Sequence, residues 1–156
     1  MNVFTDGGAY NNGKTNCKAG VGVYIPDMNI ELSEKLLERP TNQRAELTGI
    51  KRALEITTGD LLIYSDSMYS INCVTKWYKN WEKNNWLNSK KQPVKNQEIV
   101  KDILNLMTDR NIEYKHVRSH QSQPNKNTVE YKIWYGNDIA DKLASKSIEV
   151  RKLCLD

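Results

Sequence analysis

The chain has 156 residues, 38% hydrophobic and 27% charged, with a net charge of +4; that size fits one domain whose core is stable without staples. Three cysteines (Cys17, Cys73 and Cys154), an odd number without paired spacing, argue against a disulfide framework or a zinc cluster. The start MNVFTDGG has neither region of a signal peptide, and no apolar run approaches membrane-spanning length. A soluble intracellular protein is expected, cytoplasmic, with a nuclear or organellar location as alternatives.

Residues 2 to 6, NVFTD, have the pattern of a short strand that Gly7 and Gly8 end. NNGK at 11 to 14 is a turn, because Asn and Gly tolerate positive φ. CKAGVGVYI forms a second strand, with Gly20 and Gly22 on one face, which permits close approach of another element. Pro26-Asp27 turns the chain into NIELSEKLL, a third strand, so the N-terminal part is a three-stranded antiparallel meander.

The period then changes. NQRAELTGIKRALEITT sets Leu47, Ile50 and Leu54 on one helical stripe, stopped by Gly59-Asp60. LLIYSD is a short apolar strand. Helical spacing resumes through Ile71, Val74 and Trp77/Tyr78 until Pro93 breaks it, and Asn96 is an N-cap candidate for an amphipathic helix carrying Ile99, Ile103 and Leu106. NIEYKHV alternates like a strand, residues 118 to 136 are loop-like, and a last helix is expected to start near Asn137. The order is βββ followed by α, β, α, α, β, α. This implies an α/β fold: a five-stranded mixed sheet, three antiparallel strands then parallel β/α units, with helices on both faces.

Charge is uneven. Residues 76 to 101 hold seven lysines against Glu82 and Glu98, a local +5 that leaves −1 for the rest. Trp77, Trp81 and Trp86 fall in the same segment. Lysines among aromatic rings suit a nucleic-acid surface, although a solvated helix with its tryptophans in the core has the same composition.

Four acids stand at element ends: Asp6, Glu46, Asp66, and either Asp138 or Asp141. Phe4 and Asp6 share a strand face by alternation. If the first strand lies beside the first parallel strand, Asp6 and Asp66 become neighbours. Clustered carboxylates repel unless protons or cations neutralise them, and hard oxygen donors suit Mg²⁺ or Mn²⁺ rather than zinc. Singly, each acid is more simply a turn former or a helix cap. Their joint placement beside the basic segment favours a metal site.

FTDGG, TNQRAEL, YSDSMYSIN, WYKNWEKNNW and NDIADKLA occur in an order that resembles the type 1 ribonuclease H family, in its eukaryotic-type subgroup, from about residue 2 to residue 147. The resemblance implies the ribonuclease H fold in a catalytic domain at 1–150 with a short C-terminal tail at 151–156. It implies an endonuclease that hydrolyses the RNA strand of RNA–DNA hybrids using two Mg²⁺ ions, with Mn²⁺ possible, leaving 5′-phosphate and 3′-hydroxyl ends. Asp6, Glu46, Asp66 and Asp141 match the metal-binding carboxylates, and Asp138 matches an outer acidic position. Asp138 then serves the helix start and its dipole, while Asp141 in the first turn projects toward the sheet end.

His120 in VRSH resembles the family's flexible histidine, which moves protons or helps product leave; His116, within the strand, is taken as structural. Asn12, Asn42 and Gln43 resemble residues that read the hybrid's minor groove, where a 2′-OH marks RNA. Arg39, Thr41 and Asn96 resemble a pocket for a DNA phosphate. Trp77 resembles the aromatic contact to the DNA strand within the basic protrusion, and Trp81 and Trp86 are taken as packing. The sequence departs from the family between His120 and Asn137, where sixteen residues intervene instead of a handful. The aromatic end of this insertion either packs under the last helix or touches substrate. The protein is expected to act as a monomer on RNA–DNA hybrids, with no membrane partner and no separate hybrid-binding domain. The rivals are another nuclease or strand transferase of the superfamily acting on DNA, integrase-like or resolvase-like, and a catalytically silent hybrid-binding module.

Overall fold

The computed structural model describes residues 1–149, so the short tail at 151–156, with Cys154, lies outside the described residues. Five strands form one mixed sheet: β1 (Asn2–Tyr10), β2 (Lys18–Ile25), β3 (Ile30–Leu36), β4 (Leu61–Ser65) and β5 (Ile112–His116), in the order β3-β2-β1-β4-β5. The first three pair antiparallel, and β4 and β5 add in parallel, as expected from a meander followed by β/α alternation.

Helix α1 (Asn42–Glu55) starts at Thr41, whose hydroxyl accepts from the Arg44 N–H at 3.1 Å. Its stripe of Leu47, Ile50 and Leu54 is fully buried against Val3, Val21, Val23 and Ile63 of the sheet. Burial of each such side chain contributes about 1.5–3 kcal/mol. Helix α2 (Met68–Asn72) runs through a π-helical turn at Cys73–Trp77 into α3 (Tyr78–Lys83), and α4 (Gln97–Leu106) completes that layer. Helix α5 (Val129–Ile148) covers the opposite face, with Ala140 packed on Phe4 and Tyr64.

The helix expected to run on to Pro93 ends at Lys83, and two further boundaries that differ from the sequence reading concern the site. Strand β1 does not stop at Gly7-Gly8 but runs to Tyr10, pairing Gly7 with Val21 and Gly8 with Gly20. Gly7 is there for close approach rather than for a turn: a Cβ on it would lie 2.3 Å from the Ala45 carbonyl carbon of α1. Helix α5 starts at Val129, not near Asn137, with Thr128 as the cap that accepts from the Tyr131 N–H. Half of the presumed loop is therefore two turns of helix. Asp138 and Asp141 sit mid-helix, and neither caps it. Asp138 instead pairs with Lys142 one turn on, at 2.8 Å.

The glycines of β2 behave as their spacing suggests. A Cβ at Gly20 would meet the Ala144 carbonyl oxygen at 2.3 Å, and one at Gly22 the Ala140 carbonyl oxygen at 2.1 Å. Helix α5 thus rests directly on the β2 backbone. Gly22→Ala is expected to lower unfolding free energy by about 1–3 kcal/mol or more, because helix backbone cannot move aside as a side-chain tip can. Urea denaturation measures this, and an unchanged midpoint would refute the close packing.

Candidate active site

The parallel ladder between β1 and β4 pairs Thr5 with Ser65, so the next residues, Asp6 and Asp66, emerge side by side. Glu46 comes from the second turn of α1, which Gly7 allows to lie on the strand. Carboxylate oxygens of Asp6, Glu46 and Asp66 all lie within 4.8 Å of one another. Asp6 is 3% exposed and Glu46 6%, and Asp66 is half-buried. Asp141 joins from α5: it lines the same cavity of about 410 Å³ with the other three acids, Asn42, Ser119 and His120.

Burial pushes Asp6 from its ordinary 3.8 up to about 9, with the Asp66 charge and the Asp141 hydrogen bond adding to the effect. Burial, then the charges of Asp6 and Asp66, holds Glu46 well above the usual carboxylate range. Its buried Oε2 has no hydrogen-bond partner. Oxygen donors this close, partly buried and one of them orphaned, form a set that can coordinate divalent metal ions.

His120 is exposed, with φ +56°, and lines a second cavity of about 250 Å³ with Asp66, Asp141, Asn137 and Trp134. The long loop has therefore not carried it away from the acids. His116 has the structural place expected of it. Its Nε2–H donates to the Asp66 carbonyl at 3.1 Å and so braces the end of β4.

The presumed phosphate contacts also come together. Arg39, Thr41 and Asn96 line a cavity of about 660 Å³ with Lys14, Lys95 and Arg44. The sequence reading missed two of its members. Glu98 accepts from both Arg39 and Arg44, tying the start of α4 to the start of α1. Burial opposes ionisation of Glu98, but the Arg44 hydrogen bond, a backbone hydrogen bond and the charges of Arg44 and Arg39 together outweigh it and hold this carboxyl below its ordinary range. No spacing in the sequence pairs residues this far apart. Asn96 is the N-cap residue of α4, with φ +62°, but its side chain makes no cap hydrogen bond; it accepts from Arg44 and donates to the Tyr69 hydroxyl. Asn12 accepts from the Asn42 N–H at 3.0 Å, so the β1–β2 turn is docked on the start of α1, where Gln43 is exposed. Trp77 is 41% exposed beside Tyr69, while Trp81 and Trp86 pack against the core, Trp86 under the Lys101 ammonium.

The RNase H family model matches residues 1–149. The chain belongs to the ribonuclease H family. Ribonuclease H of Schizosaccharomyces pombe is 41% identical over 146 residues, 92% of this chain and 51% of that protein. Ribonuclease H of Dichelobacter nodosus is 34% identical over 96% of this chain and 92% of its own length. Among solved structures, that of the PFV RNase H domain is similar at a TM-score of 0.67 with 28% identity, covering 94% of this chain and 92% of that one. The chain spans about half the length of several curated eukaryotic relatives, including ribonuclease H1 of human and mouse.

The raised carboxyls predict how stability depends on pH. The folded state holds these protons more tightly than the unfolded chain, so metal-free protein loses stability as pH rises from about 4 through about 9. Added Mg²⁺ should restore stability, by about 2.7 kcal/mol at a hundredfold excess over its Kd, and more at about pH 8 than at about pH 5. Asp6→Asn should flatten the pH dependence and abolish the Mg²⁺ effect. Thermal melts with and without the ion test this, and an equal Mg²⁺ shift in the variant would remove Asp6 from the site.

Proposed function

We propose that this ribonuclease H family member is an endonuclease that hydrolyses the RNA strand of RNA–DNA hybrids. The observation that carries the reading is the tight carboxylate group of Asp6, Glu46 and Asp66, opening on a cavity shared with Asp141 and His120. A purely binding module has no use for mutually repelling, partly buried acids, which disfavours the silent-binder reading. Similarity to proteins named ribonuclease H supports this substrate over DNA.

Asp6, Glu46, Asp66 and Asp141 would hold two Mg²⁺ ions, with Mn²⁺ as the other candidate. Such ions, when bound, supply an activated water and neutralise charge on the departing 3′ oxygen. The chain's own residues do the rest. Asp6 lies centrally, next to each of the other acids, and would hold metal together with them. Burial favours the protonated forms of Asp6 and Glu46, so a cation held there would take the place of protons. His120, exposed at the rim, moves a proton or eases product out. Products carry 5′-phosphate and 3′-hydroxyl ends.

Around this centre, Asn12, Asn42 and Gln43 face the hybrid's minor groove, where the 2′-OH distinguishes RNA. Arg39, Thr41 and Asn96 hold a DNA-strand phosphate in the basic cavity, and Trp77 packs against the DNA strand. The partly exposed ring and the lysines of 76 to 101 make affinity electrostatic. Log K is expected to fall by about 0.9 per phosphate neutralised for each log unit of salt.

Labelled RNA–DNA hybrid, double-stranded DNA and double-stranded RNA, each incubated with Mg²⁺, test the reading. Cleavage of hybrid RNA alone is expected. DNA cleavage would favour the strand-transferase rival, and binding without cleavage a silent module. Asp66→Asn should lose at least about 10²-fold in turnover at saturating Mg²⁺; wild-type turnover would sink the assignment. His120→Ala should lower kcat while hybrid binding stays nearly unchanged, and an unchanged kcat would show that another group has its role.

A further inference from the structure

The insertion between His120 and Asn137 supplies its own fastener. Its second half is the N-terminal extension of α5, and Trp134 stands on that extension. The Trp134 indole N–H donates to the Gln121 carbonyl at 3.0 Å. Among the described residues, it is the one side-chain hydrogen bond that reaches residues 118 to 124. The backbone anchor before the turn is the Val117 N–H, which donates to the Ser65 carbonyl at 2.9 Å. The chain next regains order through Asn125, whose carbonyl and side chain organise the start of α5. Between those anchors lies His120, in a left-handed conformation that a residue with a Cβ adopts only when its surroundings hold it there.

Helical spacing makes the fastener specific to the site. Trp134, Asn137, Asp138 and Asp141 lie three, four and seven residues apart along α5, hence on one face. That face lines the 250 Å³ cavity together with Asp66, Ser119, His120 and Gln121. One rigid helix therefore carries both the carboxylate that meets Asp6 and the donor that closes the His120 turn. The Trp134 ring is itself set against Tyr131 in a tilted contact, at 5.7 Å between centroids. Tyr131 stacks on Tyr135, and Tyr135 meets Tyr24 of β2 edge-on.

We propose that Trp134 is a positioning residue: through its hydrogen bond to Gln121 it holds the 118–121 turn so that His120 faces the acidic cluster. Its consequence for turnover rests on the hybrid-cleavage reading, whereas its geometry does not. Among the described residues, one side-chain donor fixes the turn. Loss of that donor releases His120 without touching the acids, the basic cavity or Trp77.

Trp134→Phe keeps an aromatic ring against Tyr131 and removes the N–H. It is expected to lower kcat about tenfold, leave KM within about twofold, and leave the melting temperature nearly unchanged. In a His120→Ala background the same substitution should have no further effect, since the two act through one group. Amide hydrogen exchange should accelerate at residues 119 to 123 and nowhere in α1 or β4. Unchanged kcat, or a loss that multiplies fully with that of His120→Ala, would overturn the proposal. Should the wild-type chain cleave no hybrid, the functional reading fails separately and exchange alone decides: faster exchange in the turn upholds the anchor, and unchanged exchange overturns it.

Discussion

Mutual repulsion among buried carboxylates is the constraint that the rest of this structure answers to. Three acids with oxygens within 4.8 Å of one another, two of them almost wholly buried, do not assemble spontaneously. They are brought together because each is fixed to a different, strongly determined element. The β1–β4 ladder sets Asp6 beside Asp66. The fully apolar stripe of α1 fixes that helix on the sheet, and Gly7 lets it come close enough for Glu46 to reach Asp6. The absence of side chains at Gly20 and Gly22 does the same for α5 and Asp141. Hydrophobic burial thus pays for electrostatic strain, and protons or divalent cations relieve what remains.

The same logic extends outward in charge. Next to the acidic centre the chain builds a cationic cavity, and its guanidinium groups are not left free. Glu98 holds Arg39 and Arg44 across the α1–α4 junction, with Asn96 between Arg44 and Tyr69. A preset guanidinium loses less freedom on meeting an anion than a mobile one does. Farther out, the lysine-rich segment is kept rigid by the tilted series Trp77, Trp81 and Trp86, each about 6 Å from the next. Two tryptophans pack the segment against the core, and Trp77 remains partly exposed.

The sequence carried the sheet and the acids because those signals are local or ordered. Alternation marked the strands, 3.6-residue spacing marked α1 and α4, and the ordered motifs marked Asp6, Glu46, Asp66 and Asp141. What it hid were features set by tertiary contact. Gly7-Gly8 looks like a strand end, because glycine gives the same letter for a turn and for close approach. The start of α5 was hidden because NTVEYKIWY has β-branched and aromatic residues with modest helix propensity, so packing on β1 and β2 rather than local preference makes it helical. Thr128 followed by acidic Glu130 was the available cap signal, and it was masked by the polar run before it. The Glu98 pairing with two arginines left no trace at all, since nothing in linear order couples those positions.

The misplaced start of α5 has the larger consequence. A short connection from His120 into a helix beginning near Asn137 would leave the histidine fixed by chain length alone. A sixteen-residue connection cannot do that, because a longer loop samples more positions and the entropy of fixing its ends grows with its length. Half of that length is spent as helix, which extends α5 two turns past the acids and brings Trp134 back to the turn. The extension restores by a hydrogen bond the constraint that the added length removed. Seen this way, the insertion is not an ornament on the site but a second solution to holding one side chain near a cluster of charge.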